Sequence, residues 1–487
     1  MKITDLQPQL IWQCFDEITK GPRPTHHLDK MREFLIEWAM KHNIKVRSDE
    51  VGNVVMSKEA TPGYENAPTI ILQGHQDMVA EKNGDKEHDF LKDPITTIVE
   101  GDWVKADGTT LGADNGLGCA TAMAVLIDET LIHGPIECLF TVDEEQGLIG
   151  ANGLQPGFIN GSILLNLDSE EHGSLVIGCA GGKVTECRKQ ISKMSAPEGK
   201  DFYFVSIKNF KGGHSGMEIN LGRGNANQQL CRFLWENWKE FGIDVNMIEG
   251  GGLANAIPRE ANCIIGIDSG KNEEFEKKAS LFNDMLHAEF VLAEGDDFIF
   301  SVEKTDVKRD VFDRSDIFNL ISAVFACPNG VQGMSNAVEG LVETSCNLAS
   351  IKWEGETVVI TVHERSSVDS RRDEIADRVK ALFEMIGYGV TFDDAYVGWS
   401  PDPDSRVLKV AKESFENLFG RSPKVEALHA GLECGLFLEK MPDLDMISFG
   451  PTLKDIHSPN EKAYIPSVIE FWDFLREILK RLATVSA

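Results

Sequence analysis

Short apolar segments with almost no polar alternation constrain the fold of this chain most strongly. Three of them are PTIILQGH (68–75), ECLFTV (137–142) and SILLNLD (162–168). Strands of this composition are buried on both faces, so helices must cover both sides of the sheet that they form. The amphipathic segment 25–43 and the Ala-rich segment 114–132 are suited to that purpose. The sequence therefore predicts an α/β fold in which helices flank a mixed, mostly parallel sheet.

The pattern changes after about residue 185. Longer strands with polar alternation, such as FYFVSIKNF (202–210) and ETVVITVHE (356–364), appear there together with amphipathic helices. The pattern of the first part returns near residue 400. We therefore predict a discontinuous α/β domain, residues 1–185 and 398–487, interrupted by an α+β domain, residues 186–397, whose two halves resemble a diverged internal repeat.

Composition and charge narrow the possible partners. The formal net charge of −30 argues against nucleic acid and anionic membranes, because both would repel the chain. No apolar run approaches the roughly 18 residues of a membrane helix, and Asp5 and Asp16 stand where a signal peptide would be cationic and then apolar. The ten cysteines show no CxxC spacing, which is typical of buried thiols in a reducing compartment. We expect a cytoplasmic protein that binds neither nucleic acid nor membrane.

Imidazole and carboxylate side chains follow the predicted apolar strands. In an open α/β sheet, the loops at the carboxyl ends of the strands gather at one edge, where active sites form. Five separate segments should therefore bring such side chains to one rim. These are His75 with Asp77, Asp114, Glu144 with Glu145, Asp168, and His457.

This combination of nitrogen and oxygen ligands suits Zn²⁺, Co²⁺ or Mn²⁺. Two such ions about 3.5–4 Å apart need a bridging carboxylate and roughly two further ligands each. The residues that fill this scheme are His75, Asp168, Glu145 and His457, with Asp114 as the bridge. Asp77, two positions after His75, can then orient the imidazole ring. Glu144 stays free of metal and can accept a proton as general base.

Taken singly, each of these residues has a structural explanation. A histidine after a strand is more often structural, and Asp114 in its Gly-bounded turn can cap the following helix. Asp168 can belong to a solvated loop, and Glu144 and Glu145 can lie in an exposed turn. Their shared position at strand ends and helix starts is what favours a functional site.

Several motifs resemble those of the co-catalytic di-zinc peptidases, the aminoacylase and carboxypeptidase-G family. They are GHQDMV, LGADNGLG, DEEQGLIGA and LNLDSEE, followed by the late His457. Their order, their spacing and the duplicated glutamate agree with that family, and the likeness extends over nearly the whole chain. The resemblance implies one zinc ion held by His75 and Asp168 and a second held by Glu145 and His457, with Asp114 between them. It also implies that Glu144 is the general base and that Asp77 orients His75.

The same resemblance implies that the inserted domain is a lid that supplies substrate contacts. His214 of GGHSG would polarise the scissile carbonyl or stabilise the oxyanion, and Arg365 of VHERSS would hold the substrate carboxylate. Asn255 of NAIP and Gly431 of HAGLECG are further candidates for substrate contacts. Many relatives have Asp-x-Arg where this chain has His363-Glu-Arg, so a histidine replaces the carboxylate that would support the arginine.

The expected activity is hydrolysis of dipeptides with free termini, including dipeptides that end in histidine, by a peptidase with two divalent ions, of which zinc is the first choice. An N-acyl-amino-acid deacylase, a carboxypeptidase or a tripeptidase with the same two-metal site is the alternative. A binding or scaffold protein that has lost catalysis should have lost ligands, whereas the complete set is present here. If the chain forms a homodimer, His214 could act in its own active site or in that of its neighbour.

Overall fold

The computed structural model describes residues 1–305, 310–393 and 395–484. Within these residues the helices are α1 Gln9–Ile18, α2 Asp29–Lys41, α3 Ala113–Ile127, α4 Ile149–Gly153, α5 Ala226–Asn237, α6 Asn272–Glu294, α7 Arg314–Ala326, α8 Asp369–Glu384, α9 Arg406–Phe419, α10 Glu433–Lys440 and α11 Ile465–Thr484. The strands are β1 Lys45–Ser48, β2 Val54–Lys58, β3 Ile70–His75, β4 Thr97–Glu100, β5 Trp103–Ala106, β6 Ile136–Thr141, β7 Ile163–Asn166, β8 Ser174–Cys179, β9 Gly181–Gln190, β10 Lys193–Met194, β11 Lys200–Lys208, β12 Asp244–Gly251, β13 Ala261–Asp268, β14 Ile299–Thr305, β15 Val311–Phe312, β16 Gly330–Met334, β17 Val342–Glu354, β18 Thr357–Ser366, β19 Gly389–Phe392, β20 Lys424–Leu428, β21 Asp445–Ser448, β22 Leu453–Lys454 and β23 Lys462–Tyr464.

The chain divides into two compact units. Unit 1 comprises Met1–Cys179, Trp399–Ala427 and Leu432–Ala487, and unit 2 comprises Ala180–Gly398 and Leu428–Gly431. Unit 1 is therefore built from segments that are far apart in sequence, and most of unit 2 is one continuous stretch.

Unit 1 is organised around an eight-stranded sheet in the order β1-β2-β6-β3-β7-β21-β8-β20. The central strand β3 is parallel to both β6 and β7, and β21 is parallel to β7. On one side β2 runs antiparallel to β6, and on the other β8 runs antiparallel to β21. Every residue of β3 and β6 is buried, as expected for strands covered on both faces. The predicted α/β fold with a mixed sheet is confirmed. The sheet is less parallel than predicted, because parallel pairing is confined to β6, β3, β7 and β21 and antiparallel strands flank these on both sides. A smaller antiparallel sheet, β22-β23-β5-β4, belongs to the same unit.

Helix α3 packs against β3 because its small residues permit a close approach. A side chain on Gly118 would place its Cβ atom 2.5 Å from the carbonyl oxygen of Leu167, well inside van der Waals contact. The Ala- and Gly-rich composition of α3 therefore brings its N-terminus, which carries Asp114, next to the ends of the central strands.

Unit 2 contains a nine-stranded sheet in which β14-β11-β13-β12-β17-β18-β9-β19 lie in this order and β16 pairs with β17. The paired strands are antiparallel. Its hydrophobic core includes Phe233 of α5, Phe282 of α6, Leu320 of α7 and Val379 of α8. This is the predicted α+β arrangement, with amphipathic helices packed on one layer of sheet.

Candidate metal centre

The carboxyl ends of three parallel strands meet at one edge of the unit 1 sheet. β3 ends at His75, and β7 ends two residues before Asp168. β6 ends at Thr141, so the turn with Glu144 and Glu145 begins at the same edge. The predicted convergence follows from strand direction, because parallel neighbours must end on the same side.

Asp114 lies between two histidines in this cluster. Its Oδ1 atom is 3.1 Å from Nε2 of His75, and its Oδ2 atom is 3.0 Å from Nε2 of His457. Oδ1 of Asp168 is 3.4 Å from Nε2 of His75, and Oε2 of Glu145 is 3.1 Å from Nε2 of His457. Each oxygen of the Asp114 carboxylate thus faces one histidine. Each histidine has a second carboxylate beside it, Asp168 for His75 and Glu145 for His457. The structure brings together all five residues predicted as metal ligands.

These donors suit divalent cations. Candidate ligand atoms lie within 4.8 Å of one another in three overlapping groups: His75 with Asp114 and Asp168, His75 with Glu144 and Glu145, and Asp114 with Glu145 and His457. Oε1 of Glu145 and Oδ1 of Asp168 are buried without a hydrogen-bond partner among the described residues. Such atoms are costly unless a ligand satisfies them, and a metal ion would do so. The described residues can therefore hold metal.

The electrostatics of the cluster reflect buried groups of opposite charge. Burial tends to lower the pKa of His75, but the surrounding carboxylates, led by Asp168, raise it well above its usual range. Hydrogen bonds to Asp114 and Glu145 raise the pKa of His457 to about 10. Burial raises the pKa of Asp168 to about 6. A dication would replace the protons that these histidines otherwise hold, so metal binding should release protons.

Asp77 contacts both the His75 ring and the backbone of the glutamate turn. Its Oδ1 atom is 3.3 Å from Nδ1 of His75 and accepts a hydrogen bond from the backbone N–H of Glu144 at 3.0 Å. Its Oδ2 atom accepts from the backbone N–H of Glu145 at 3.3 Å and from the Thr25 hydroxyl at 3.0 Å. A carboxylate on the far nitrogen fixes which nitrogen of the imidazole faces the metal position.

Glu144 is half-buried at the cluster and forms no ion pair with the described residues. Burial raises the pKa of Glu144 well above its usual range, and the carboxylates of Asp168, Glu433 and Glu145 act in the same direction. Asp143, for which the sequence suggested no role, adopts a left-handed φ of 48° and accepts a hydrogen bond from the backbone N–H of His26 at 2.6 Å. Asp143 therefore ties the turn to the backbone of His26, whereas Glu144 and Glu145 point toward the cluster.

His214 and Arg365 lie in unit 2. Nδ1 of His214 faces the backbone N–H groups of Gly216 at 3.2 Å and Met217 at 3.0 Å, so it must accept and the proton must reside on Nε2. Burial, together with Arg365, lowers the pKa of His214, which keeps the ring neutral. The ring is thus held as a hydrogen-bond donor through Nε2.

Arg365 carries a buried charge without a carboxylate partner in the described part of the chain. Its side chain donates a hydrogen bond to the Tyr396 hydroxyl at 2.8 Å. Burial and the neighbouring Arg365 lower the pKa of His363 to about 3, so this residue is neutral. His363 occupies the position at which many relatives have an aspartate. Because His363 is neutral, the charge of Arg365 stays available to an anion.

The two weaker candidates for substrate contacts also lie in unit 2. Asn255 is exposed, and its backbone carbonyl accepts a hydrogen bond from the N–H of Ser215 at 2.8 Å, next to His214. A Cβ atom on Gly431 would be 2.9 Å from the ring of Tyr396, which explains a glycine there.

Three buried charged residues near the cluster were not singled out from the sequence. Oε2 of Glu433 accepts hydrogen bonds from the side chains of Gln73 at 2.6 Å and Thr141 at 2.9 Å. Arg23 and Glu461 are each only 2% exposed and contact the loop that carries Asp114. A single buried carboxylate or guanidinium leaves no periodic signal in a sequence, so the structure was needed to find them.

Residues 71–481 match the model of peptidase family M20/M25/M40. The chain belongs to this family. A cytosol non-specific dipeptidase of Escherichia coli (strain K12) is 39% identical over 482 residues, which cover 99% of each chain. The crystal structure of aminoacylhistidine dipeptidase from Vibrio alginolyticus shares 41% identity and superimposes with a TM-score of 0.94, covering 99% of this chain and 98% of that one.

A more distant solved structure shows a likeness of fold alone. A tripeptidase from Staphylococcus aureus is 17% identical, with a TM-score of 0.56 over 98% of this chain and 99% of that one. The likeness predicted from the motifs is thereby confirmed at the level of the family. In the described residues no helix has the length and apolar character needed to cross a membrane.

Proposed function

We propose that this chain is a two-metal dipeptidase that hydrolyses dipeptides with free termini, including dipeptides that end in histidine. The observation that carries the proposal is the position of Asp114, whose two oxygens face His75 and His457 at 3.1 and 3.0 Å. Membership of a peptidase family and the names of the two relatives near 40% identity support the substrate class. Zinc is the proposed metal, and Co²⁺ or Mn²⁺ fit the same donors.

In this proposal His75 and Asp168 hold one ion, Glu145 and His457 hold the other, and Asp114 bridges. When bound, two such ions activate a water molecule and polarise the scissile carbonyl. Glu144 accepts the proton of the attacking water at its carboxylate and then donates it to the leaving amine. Asp77 keeps His75 in the required tautomer through the contact with Nδ1.

Unit 1 is proposed to be the catalytic part and unit 2 to supply substrate contacts. The Nε2–H of His214 suits a carbonyl oxygen that becomes an oxyanion, because its tautomer is set by two backbone N–H groups. The guanidinium of Arg365, which has no carboxylate partner among the described residues, suits the C-terminal carboxylate of a dipeptide. Asn255 and Gly431 are proposed as further substrate contacts. A cytoplasmic location and a homodimer complete the proposal; the word cytosol in the name of the Escherichia coli relative supports the location.

The test combines metal analysis with a substrate panel. The purified chain should contain two metal ions and should hydrolyse free dipeptides faster than N-acylated dipeptides, C-amidated dipeptides or tripeptides. Faster cleavage of N-acylated amino acids would instead identify a deacylase with the same metal site. A chain that holds two ions but cleaves none of the panel would contradict the proposed function and leave the metal assignment intact.

A further inference from the structure

The loop 111–114, which includes the first two residues of α3 and carries Asp114, is held by a buried carboxylate from a distant part of the chain. Oε2 of Glu461 accepts hydrogen bonds from the backbone N–H groups of Leu111 at 2.8 Å and Gly112 at 2.9 Å. Its Oε1 atom accepts from the N–H groups of Ala113 at 2.7 Å and Asp114 at 3.2 Å. Four successive backbone donors thus converge on one side chain. Since both of its oxygens are occupied, Glu461 is not itself a metal ligand.

Glu461 is also firmly connected to His457. The backbone N–H of Glu461 donates to the carbonyl oxygen of Ser458 at 3.0 Å, which closes a turn directly after His457. Glu461 is followed at once by β23, which is paired with β5. The Glu461 carboxylate therefore fixes the position of the loop that carries Asp114 relative to the turn that carries His457. The side chains of Asp114 and His457 are in contact at 3.0 Å.

Arg23 makes the corresponding connection to the His75 segment. Its Nη1 atom donates to the carbonyl oxygens of Gln76 at 3.1 Å and Asp77 at 2.9 Å, and its Nη2 atom donates to the carbonyl oxygen of Gly112. The guanidinium approaches the loop so closely that a Cβ atom on Gly112 would lie 2.5 Å from Nη2. Gly112 also has a φ of 68°, so a glycine is needed there for both reasons.

We propose that Glu461 and Arg23 are positioning residues that fix the spacing of His75, Asp114 and His457 and thereby set the affinity of the two-metal site. The inference rests on the metal site of the proposed function. Without such support, the segments that carry His75, Asp114 and His457 would be free to move relative to one another, and the spacing of the ligand atoms would be lost. Groups behind metal ligands commonly change metal affinity about 10- to 100-fold when they are replaced.

The decisive variant is Glu461→Gln, because an amide would leave two of the four backbone N–H groups without an acceptor. The matched control is Glu137→Gln. Glu137 is also a buried carboxylate that accepts two backbone N–H groups, from Asn160 at 2.6 Å and Gly161 at 3.2 Å, but it lies at the opposite end of β6. For both variants of the full chain, zinc affinity is measured by competition with a chelating indicator. The visible absorption of the cobalt-substituted protein reports ligand geometry, and thermal unfolding is measured without metal.

Glu461→Gln should bind zinc at least 10-fold more weakly than wild type and change the cobalt spectrum, whereas Glu137→Gln should do neither. Zinc affinity of Glu461→Gln within twofold of wild type, with an unchanged cobalt spectrum, would overturn the inference even if the variant melts earlier. If Glu461→Gln does not fold, Arg23→Lys decides in the same assays, since a lysine cannot span three carbonyl oxygens and should also weaken zinc binding. These assays involve no peptide, so they separate a failure of this inference from a failure of the proposed activity.

Discussion

At the scale of single residues, the adjacent carboxylates of the turn after β6 have separate partners. Glu145 points to His457, and its second oxygen has no hydrogen-bond partner in the described chain. Glu144 forms no ion pair with the described residues, and its burial disfavours the charged form. Asp77 accepts hydrogen bonds from the backbone N–H groups of Glu144 and Glu145, so the side chains of these two glutamates diverge from a fixed turn. This divergence suits the proposed division of roles, in which Glu145 binds metal and Glu144 transfers a proton.

The variant Glu144→Gln tests that division. Turnover of a free dipeptide should fall by about 10²- to 10⁴-fold, the usual contribution of a general acid–base group, because glutamine has the same shape but cannot accept the proton. Metal content should remain at the wild-type level. Steady-state kinetics and elemental analysis of the same preparation provide both readings. Loss of metal in this variant would show that Glu144 is a ligand instead of the base.

The variant Arg365→Gln tests the recognition of the substrate carboxylate. A hydrogen bond between charged groups contributes about 1.5–3 kcal/mol, so KM for free dipeptides should rise about 10- to 100-fold. Rates on free and C-amidated dipeptides should then become similar. Arg371→Gln, in the same unit but 49% exposed, serves as the control and should leave KM unchanged. If the preference for a free carboxylate survives in Arg365→Gln, another group binds it.

At the scale of elements, β18 places different chemistry on its two faces. Register places Asn347 opposite His363 and Ser345 opposite Arg365, so these polar residues share one face of the sheet with their partners. Glu364, between them, points to the other face and is fully buried. Burial raises the pKa of Glu364 to about 8, although the Thr185 hydroxyl and the Lys183 ammonium act in the opposite direction. β18 thus carries the Arg365 cation on one face and a neutral acid, Glu364, on the other.

The raised pKa of Glu364 predicts a pH-dependent contribution to stability. The folded protein retains this proton up to about pH 8, whereas the unfolded chain loses it near the ordinary value of 4.5. Stability is therefore greatest below the unfolded pKa and is lost as the pH rises through the folded one. Glu364→Gln should remove this loss, so its advantage in free energy of unfolding over wild type should grow from pH 5 to pH 8.

Denaturant titrations across this range measure the effect, which amounts to about 1.4 kcal/mol for each unit of pKa shift. The control variant is Glu384→Gln, at an exposed position of α8. A constant difference for Glu364→Gln would mean that this carboxyl is charged in the folded protein.

At the scale of the whole molecule, the two kinds of candidate site residue belong to different units. The five candidate metal ligands come from two of the three segments of unit 1, and they are spread over more than three quarters of the chain. His214, Asn255, Arg365 and Gly431 all belong to unit 2. Metal binding should consequently stabilise unit 1 directly.

Removal of the metal should lower the melting temperature and the amide protection of β3, β6 and β7. A ligand at about 1,000 times its dissociation constant stabilises the folded state by about 4 kcal/mol, and this stabilisation is lost with the metal. Hydrogen exchange with and without chelator measures this by segment, with β17 and β18 as the internal reference. Equal loss of protection in both sets of strands, or none, would contradict a metal site confined to unit 1.

The sequence by itself determined the fold class and the candidate ligands. Continuous apolar strands require helices on both faces, and polar residues directly after parallel strands must meet at one edge. His75, Glu145 and Asp168 could therefore be predicted from their position, and the motif order indicated the family. His214 and Arg365 were inferred only from resemblance, since nothing local in a polar turn or a strand distinguishes them.

Only the tertiary structure decided how these residues are held. The pairing of Asp114 with both histidines, the neutral state of His363 and the tautomer of His214 depend on neighbours that are distant in sequence. The same applies to Glu461, whose four hydrogen bonds reach back some 350 residues to the loop before α3. Strand patterns record which face of an element is buried, because burial follows the local repeat. Single long-range contacts between polar groups follow no repeat, so they emerge only when the chain has folded.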